Sequence, residues 1–167
     1  IVSSGAREMD CGRLNGHIFN YIASIGAFTE VSYVTPQPLK NWLGHFAYLL
    51  ESVKHVDGIK PHHLKFTASG PDGNESVVEG NFALAAFANT LSIGGVIKLD
   101  PSEVELDDGL HEYLFIRMPR NIAGLNEAAM ELASLQNPNR KPGAKRVLCG
   151  KFARGRLECA DEMQWSL

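Results

Sequence analysis

Apolar residues along the chain fall mostly at alternate positions between turn-forming clusters, and helical spacing appears in only two stretches. His17-Ile18-Phe19-Asn20-Tyr21-Ile22-Ala23-Ser24-Ile25 is rich in β-branched and aromatic residues and ends at Gly26, which predicts a strand. Phe28 to Val34 predicts a second, short strand. At Thr35-Pro36-Gln37-Pro38 the pattern breaks: Thr35 suits an N-cap, and the prolines suit a helix's first turn. Leu39, Trp42, Leu43, Phe46, Ala47, Leu50 and Val53 then recur at i, i+3, i+4, i+7, predicting a helix with one buried face that closes at Asp57-Gly58.

From residue 59 to about 117 the period returns to two. Leu64 to Ser69 alternates, Gly70-Pro71-Asp72-Gly73-Asn74 is a turn cluster, and Glu75 to Glu79 alternates back. Gly80 is expected to separate that strand from Asn81 to Ala88, whose nearly continuous apolar run suits a central strand. His111 to Met118 predicts another strand. Ile122, Leu125, Ala129 and Leu132 or Ala133 outline a second helix ending near Gln136-Asn137-Pro138-Asn139. Short strands follow at Arg146 to Phe152, Arg156 to Ala160 and Met163 to Leu167, separated by Gly155 and by Asp161-Glu162. Strands outnumber helices, and the helices sit in long connections rather than alternating with strands. The expected class is therefore mainly β (α+β): a single domain over 1–167, a two-sheet antiparallel β-sandwich or barrel-like fold with two helical insertions, not a βαβ fold.

Composition narrows the chemistry. The 44% apolar and 21% charged residues are those of a folded globular chain, and the net charge of −3 argues against a nucleic-acid partner. Lys141, Lys145, Arg146, Lys151, Arg154 and Arg156 concentrate late, either as a solvated strand face or as a docking patch for anionic lipid head groups. Cys11, Cys149 and Cys159 lack CxxC spacing, so neither a disulfide framework nor a zinc knuckle is implied, and a reducing, cytoplasmic setting fits. No apolar run approaches the roughly 18 residues that cross a bilayer, so membrane contact is expected to be peripheral. His62-His63 are adjacent on a strand and point to opposite faces. No glycine-rich phosphate loop opens a helix, Gly94-Gly95 being a lone pair. That, with an end on Trp165-Ser166-Leu167 in mid-strand, is expected of a piece excised from a longer chain.

Two passages and the helix between them carry a resemblance. Met9-Asp10-Cys11-Gly12-Arg13-Leu14-Asn15-Gly16, continuing through Phe19-Asn20 to Gly26-Ala27-Phe28, is similar to the "D-x-G-x-x-N-G-x-x-F-x-N-x-x-x-x-G" passage of the bacterial diacylglycerol kinases and their sphingosine-kinase relatives. Leu39-Lys40-Asn41-Trp42-Leu43-Gly44-His45-Phe46-Ala47-Tyr48 resembles that family's "L-K-x-x-L-G-x-x-A-Y" helix. Phe87-Ala88-Asn89, Gly94-Gly95, Leu99-Asp100-Pro101 and Leu106-Asp107-Asp108-Gly109-Leu110 follow the family's "G-N", "G-G" and "x-P-x-A-x-x-D-D-G-L" in order and spacing.

The resemblance implies the C-terminal sandwich domain, shared in plan with the NAD kinases, of an ATP-dependent lipid kinase phosphorylating a hydroxyl of a diacylglycerol-like lipid. The nucleotide-binding domain that would precede it is absent. It also implies a structural Mg²⁺, with Asp108 as side-chain ligand and Glu105 and Leu110 giving backbone carbonyls; a turn of oxygen donors suits such a hard cation. By default Asp107-Asp108-Gly109 is a turn, which is compatible with holding the ion. The family's general base is a Glu in a "D-G-E" motif that would begin just past Leu167, so no catalytic residue is expected here and the piece alone is expected to be inert. Asn89, Gly26 and Phe28 are the expected substrate-side residues, with Asn89 either reaching the substrate or satisfying loop backbone. Thr29 stands where many relatives have Asp. The Trp42, Phe46 and Leu50 stripe reads either as core or as the wall of an acyl-chain channel. A homodimer lies within what the resemblance implies. The alternative is a non-enzymatic lipid-binding or regulatory module of the same fold.

Overall fold

The computed structural model describes residue 5 and residues 8–26, 60–93, 97–135, 137, 145–160 and 165–167. The predicted strand at Phe28 to Val34 and the helix from Leu39 to Val53 lie outside them.

The chain enters through β1 (Gly12–Leu14) and β2 (His17–Phe19), paired antiparallel with Leu14 opposite His17. Asn15 and Gly16 both take positive φ, 48° and 89°, which is what a two-residue Asn-Gly hairpin demands. The single strand expected over 17–25 is divided: after Phe19 the chain breaks at Asn20-Tyr21, and β3 (Ile22–Gly26) joins a different sheet. The division has a pairing cause. The long strand β5 (Glu75–Ala88) is paired with β4 (His62–Ser69) only as far as Phe82, and β3 takes up the same β5 from Leu84 to Ala88.

β4 and β5 form a hairpin whose turn is closed by Gly70 N–H donating to the Asn74 carbonyl at 2.9 Å, with Gly73 at φ 79°. The predicted interruption at Gly80 does not occur; β5 runs through it for 14 residues. The missing side chain there instead admits Arg117, whose Nη1 donates to the Glu79 carbonyl at 3.2 Å while its guanidinium lies 5.4 Å from the Phe82 ring centroid. The buried half of β5 pairs on one edge with β3 and on the other with β8 (His111–Arg117), and its alanines let both neighbours approach.

The short β6 (Ser92–Ile93) and β7 (Ile97–Lys98) pair with each other. α1 (Ile122–Ser134) is the one helix among the described residues. Asn121 caps it, its Oδ1 accepting from Gly124 N–H at 2.8 Å. Its buried side is Ala128, Leu132 and, just beyond the end, Leu135. The expected face is thus slightly rotated, with Ala129 at its margin.

β9 (Val147–Phe152) pairs with β8, and β10 (Arg154–Cys159) pairs with β4. The break between them falls at Ala153, whose N–H donates to the Ser69 carbonyl at 2.9 Å. Gly155, expected as a separator, lies inside β10, where an added Cβ would stand 2.4 Å from the Phe66 ring. Near the end, Ser166 exchanges both backbone hydrogen bonds with Ser24 at 2.9 Å.

A mainly β, antiparallel fold was expected, two-sheet or barrel-like. The described strands give one six-stranded antiparallel sheet, β10-β4-β5-β8-β9 with β3 on β5, and two small ribbons. Because β9 continues into β10 through a single residue, the sheet curls round on itself. Its inner side holds an aromatic core and its outer side an aliphatic core under α1. Among the described residues, no helix is long and apolar enough to cross a membrane.

Candidate functional site

Three segments meet where β5 ends and β8 begins: Asp10 ahead of β1, Asn89 after β5, and the 106–110 turn. Asn89 is 2% exposed, and it ties them together. Its backbone N–H donates to the Tyr21 carbonyl at 3.0 Å, and its Nδ2 donates to the carbonyls of Asp10 (3.0 Å) and Leu106 (2.9 Å). Asp10 N–H donates to the Leu106 carbonyl at 2.7 Å, and Asp10 Oδ2 accepts from Gly109 N–H at 2.6 Å. Gly109 adopts φ 75°, the left-handed conformation that lets its amide turn toward Asp10.

Asp108 stands at the tip of this turn. Its Oδ1 accepts from Leu110 N–H at 2.9 Å, the local bond that closes an Asx turn, and its Oδ2 accepts from Lys151 Nζ on β9 at 2.7 Å. Burial pushes the Asp108 carboxyl up, but the bonds from Lys151 and Leu110 outweigh it and hold it below its ordinary range. Burial likewise works against the Lys151 ammonium, and Asp108, Glu112 and Glu105 together raise it above the usual lysine range. The site therefore holds a fixed ion pair, one carboxylate and one ammonium, both charged at neutral pH.

The next two residues point to opposite faces. His111 faces the aromatic side, 5.6 Å from the Phe19 ring centroid, and burial lowers its pKa against the pull of Asp10 and Asp108. Glu112 faces the α1 side. Burial pushes its carboxyl up to about 7, with Lys151 opposing. A cavity of about 600 Å³ opens beside His111 and Asp10, walled by Phe19, Phe66, Phe87, Phe152 and Trp165. Arg13, Arg154 and Arg156 also line it.

The residues expected to hold Mg²⁺ are brought to one turn, yet they do not fit the ion as they stand. Each Asp108 oxygen already has a donor, one of them an ammonium at 2.7 Å, so a cation reaching that carboxylate must displace Lys151. The Glu105 carboxylate raises the Lys151 pKa. No group of three or more His, Cys, Asp or Glu side chains placed to hold a metal occurs among the described residues.

No family model matches the chain. Curated relatives do. It is 32% identical over 142 residues to a diacylglycerol kinase of Staphylococcus aureus (strain JH9), covering 85% of this chain and 42% of that one. It is 29% identical over 132 residues to a diacylglycerol kinase of Bacillus subtilis (strain 168), covering 79% of this chain and again 42% of the relative. The chain is homologous to one part of the diacylglycerol kinases. It spans about two-fifths of the length of these curated relatives. The crystal structure of a diacylglycerol kinase from Bacillus anthracis str. Sterne superposes with a TM-score of 0.58 at 16% identity, covering 96% of this chain and 46% of that one. A second crystal structure from that organism gives a TM-score of 0.63 at 21% identity, covering 96% and 50%. At those identities the likeness is one of fold.

Of the expected site residues, Asp108, Glu105, Leu110 and Asn89 gather around this turn. Asn89 Nδ2 bonds the loop's backbone carbonyls, while its buried Oδ1 has no hydrogen-bond partner. Gly26 is elsewhere: it pairs with Leu84, about 16 Å along β5 from Asn89, and a Cβ added there would collide with the Ala83 carbonyl oxygen. Phe28 and Thr29 lie outside the described residues. Of the late basic residues described, Arg146 pairs with Glu127 at 2.9 Å, Lys151 with Asp108 and Arg156 with Glu158 at 3.8 Å, while Arg154 and Arg156 line the aromatic cavity; Lys141 lies outside the described residues. Lys151, Asp10, Glu112 and His111 were not anticipated as site residues. Glu112 carried a signal, an acid immediately before the apolar run Tyr113 to Ile116, and Asp10 stands in the passage that carries the resemblance. Lys151 carried none, since only the β8–β9 register sets it beside Glu112.

Proposed function

We propose that this chain is part of an ATP-dependent kinase that phosphorylates a hydroxyl of a diacylglycerol-like lipid, working peripherally at a membrane surface in the cytoplasm. The observation that carries this reading is the 32% identity over 142 residues to a diacylglycerol kinase. The cavity of about 600 Å³ beside the Asp108 turn supports it, with Phe19, Phe66, Phe87, Phe152 and Trp165 offering an apolar wall and Arg13, Arg154 and Arg156 offering cations on the same lining. In this reading the chain contributes the cleft and a rigid charged turn, and the phosphates of ATP are held by another part of the enzyme. Asp10, Asn89 and Gly109 fix the turn, and the Asp108–Lys151 pair sets its charge. Mg²⁺ would be expected with ATP, and at Asp108 only by displacing Lys151.

The test is transfer of the γ-phosphoryl group of ATP to diacylglycerol in mixed micelles, by this chain alone and by a chain extended in both directions. Only the extended chain is expected to turn over, and Asp108→Ala within it is expected to lower kcat/KM by about tenfold or more. Turnover by the 167 residues alone would show that nothing essential lies elsewhere, and an inactive extended chain would remove the kinase assignment.

A further inference from the structure

On the α1 side of β8 lies a second cavity, of about 470 Å³. Its apolar walls include Leu99, Val104, Leu114 and Leu135, and Asp100 and Glu112 also line it. Both acids are more than nine-tenths buried, at 6% and 7% exposure. Asp100 Oδ1 accepts from the Ser102 amide (2.9 Å) and hydroxyl (2.7 Å), but Asp100 Oδ2 has no hydrogen-bond partner. Neither Glu112 oxygen has one. Three buried carboxylate oxygens on one cavity thus lack donors, an arrangement that costs stability unless something else supplies them. Lys151 lines the same cavity, but its hydrogen bond goes to Asp108.

The missing partner is defined by what those oxygens need. Among the described residues no third acid, His or Cys completes a metal-holding group with Asp100 and Glu112, and leucine walls do not suit a hydrated ion. A hydroxyl has one donor hydrogen; a primary ammonium has three, with a positive charge. We propose that this cavity binds an organic cation, a primary ammonium on an apolar chain, with the ammonium on Glu112, Asp100 adding negative charge to the same cavity, and the chain along Leu99, Val104, Leu114 and Leu135. The cavity is of the size that takes small ligands, about 300 to 1,000 Å³. Diacylglycerol has no ammonium, so this ligand is distinct from the lipid of the kinase reading and its test needs neither ATP nor lipid.

The experiment is calorimetric titration of the full chain at pH 8, where Glu112 is ionised, and low ionic strength with three probes of one chain length: n-hexylammonium, 1-hexanol and hexanoate. Hexylammonium is expected to bind saturably at one site, 1-hexanol about tenfold or more weaker, and hexanoate not at all. Glu112→Gln is expected to weaken hexylammonium by about tenfold or more while leaving 1-hexanol little changed, with Asp100→Asn weakening it in the same sense. The probe series on the unsubstituted chain decides the matter even if a variant fails to fold. Failure of hexylammonium to bind, binding no tighter than 1-hexanol, or binding unchanged by Glu112→Gln overturns the proposal.

Discussion

The two faces of the one sheet are built on opposite terms. The inner face is ring against ring: Phe66 lies 4.9 to 5.4 Å from the centroids of Phe87, Tyr113, Phe115 and Phe152. The outer face packs Leu84, Leu114, Ile116 and Val147 against Ala128, Leu132 and Leu135, and at one end it gives way to charge, with Glu112, Lys151, Asp108 and Asp100. Strand β8 feeds both, sending His111, Tyr113 and Phe115 inward and Glu112, Leu114 and Ile116 outward. A one-residue slip of that strand would put Glu112 among the rings and Phe115 under the helix. The contrast shows a division of work within one sheet. The inner face stacks rings around Phe66 and opens into the cavity beside His111, while the outer face is covered by one helix and places Glu112 and Asp100 on the second cavity.

Truncating each face should expose that difference first. Phe66→Ala leaves a hole among four rings that the closed sheet cannot fill, with an expected loss of about 3–5 kcal/mol, whereas Leu132→Ala under α1 should lose about 2–3 kcal/mol because a single helix can settle inward. Urea unfolding of both variants measures the gap. Equal losses would mean that the two faces are equally rigid.

The second way to sharpen the contrast is pH. Folded Glu112 keeps its proton to about pH 7, against 4.5 for an ordinary glutamate. Between those values the folded chain binds the extra proton, so this group's contribution to stability falls as pH rises and its full cost is felt above about pH 7. Glu112→Gln removes that cost. At pH 8 the variant is expected to be more stable than the parent chain by up to roughly 3 kcal/mol, with the gap closing toward pH 4.5. Unfolding midpoints at pH 5 and pH 8 read it out, and a gap that widens on acidification would contradict the burial of Glu112.

A smaller effect tests the inner face through its close contacts. Gly155 lies under Phe66, so Gly155→Ala forces the ring aside and is expected to cost about 1–3 kcal/mol. That cost should vanish in the Phe66→Ala background, where the obstructing ring is gone; additive losses would show that the contact is not what matters.

How far the sequence reveals these faces follows from what periodicity can register. The strand from His111, the apolar run to Ala88, the turn clusters at Gly70 to Asn74 and Asp107 to Gly109 and the helix at 122–134 are local, and the structure has each where the pattern puts it. Gly80 and Gly155 mislead because a glycine in a strand reads as a break, while here each makes room for a side chain from a distant strand, Arg117 and Phe66. The division at Asn20-Tyr21 depends on where β4 leaves β5, which no local window contains. The site is divided in the same way. The turn residues 105–110 and Asn89 are legible from motif and spacing, but the cation that neutralises Asp108 comes from 43 residues away in another strand.

That non-local pair gives the last and smallest effect in stability, and the most telling one for the turn. Asp108 and Lys151 are partly exposed, at 17% and 31%, so breaking the pair by Lys151→Met should cost only roughly 1 kcal/mol. Its consequence for ions is larger. With the ammonium gone, Asp108 Oδ2 is free to meet a hard cation beside the carbonyls of the turn. Calorimetric titration with Mg²⁺ is expected to show no saturable heat for the parent chain, a saturable site in Lys151→Met, and none when Asp108→Ala is added. A saturable Mg²⁺ heat in the parent chain that Asp108→Ala abolishes would mean that Lys151 yields its place to the metal. The ion pair would then be the resting form of a metal-binding turn.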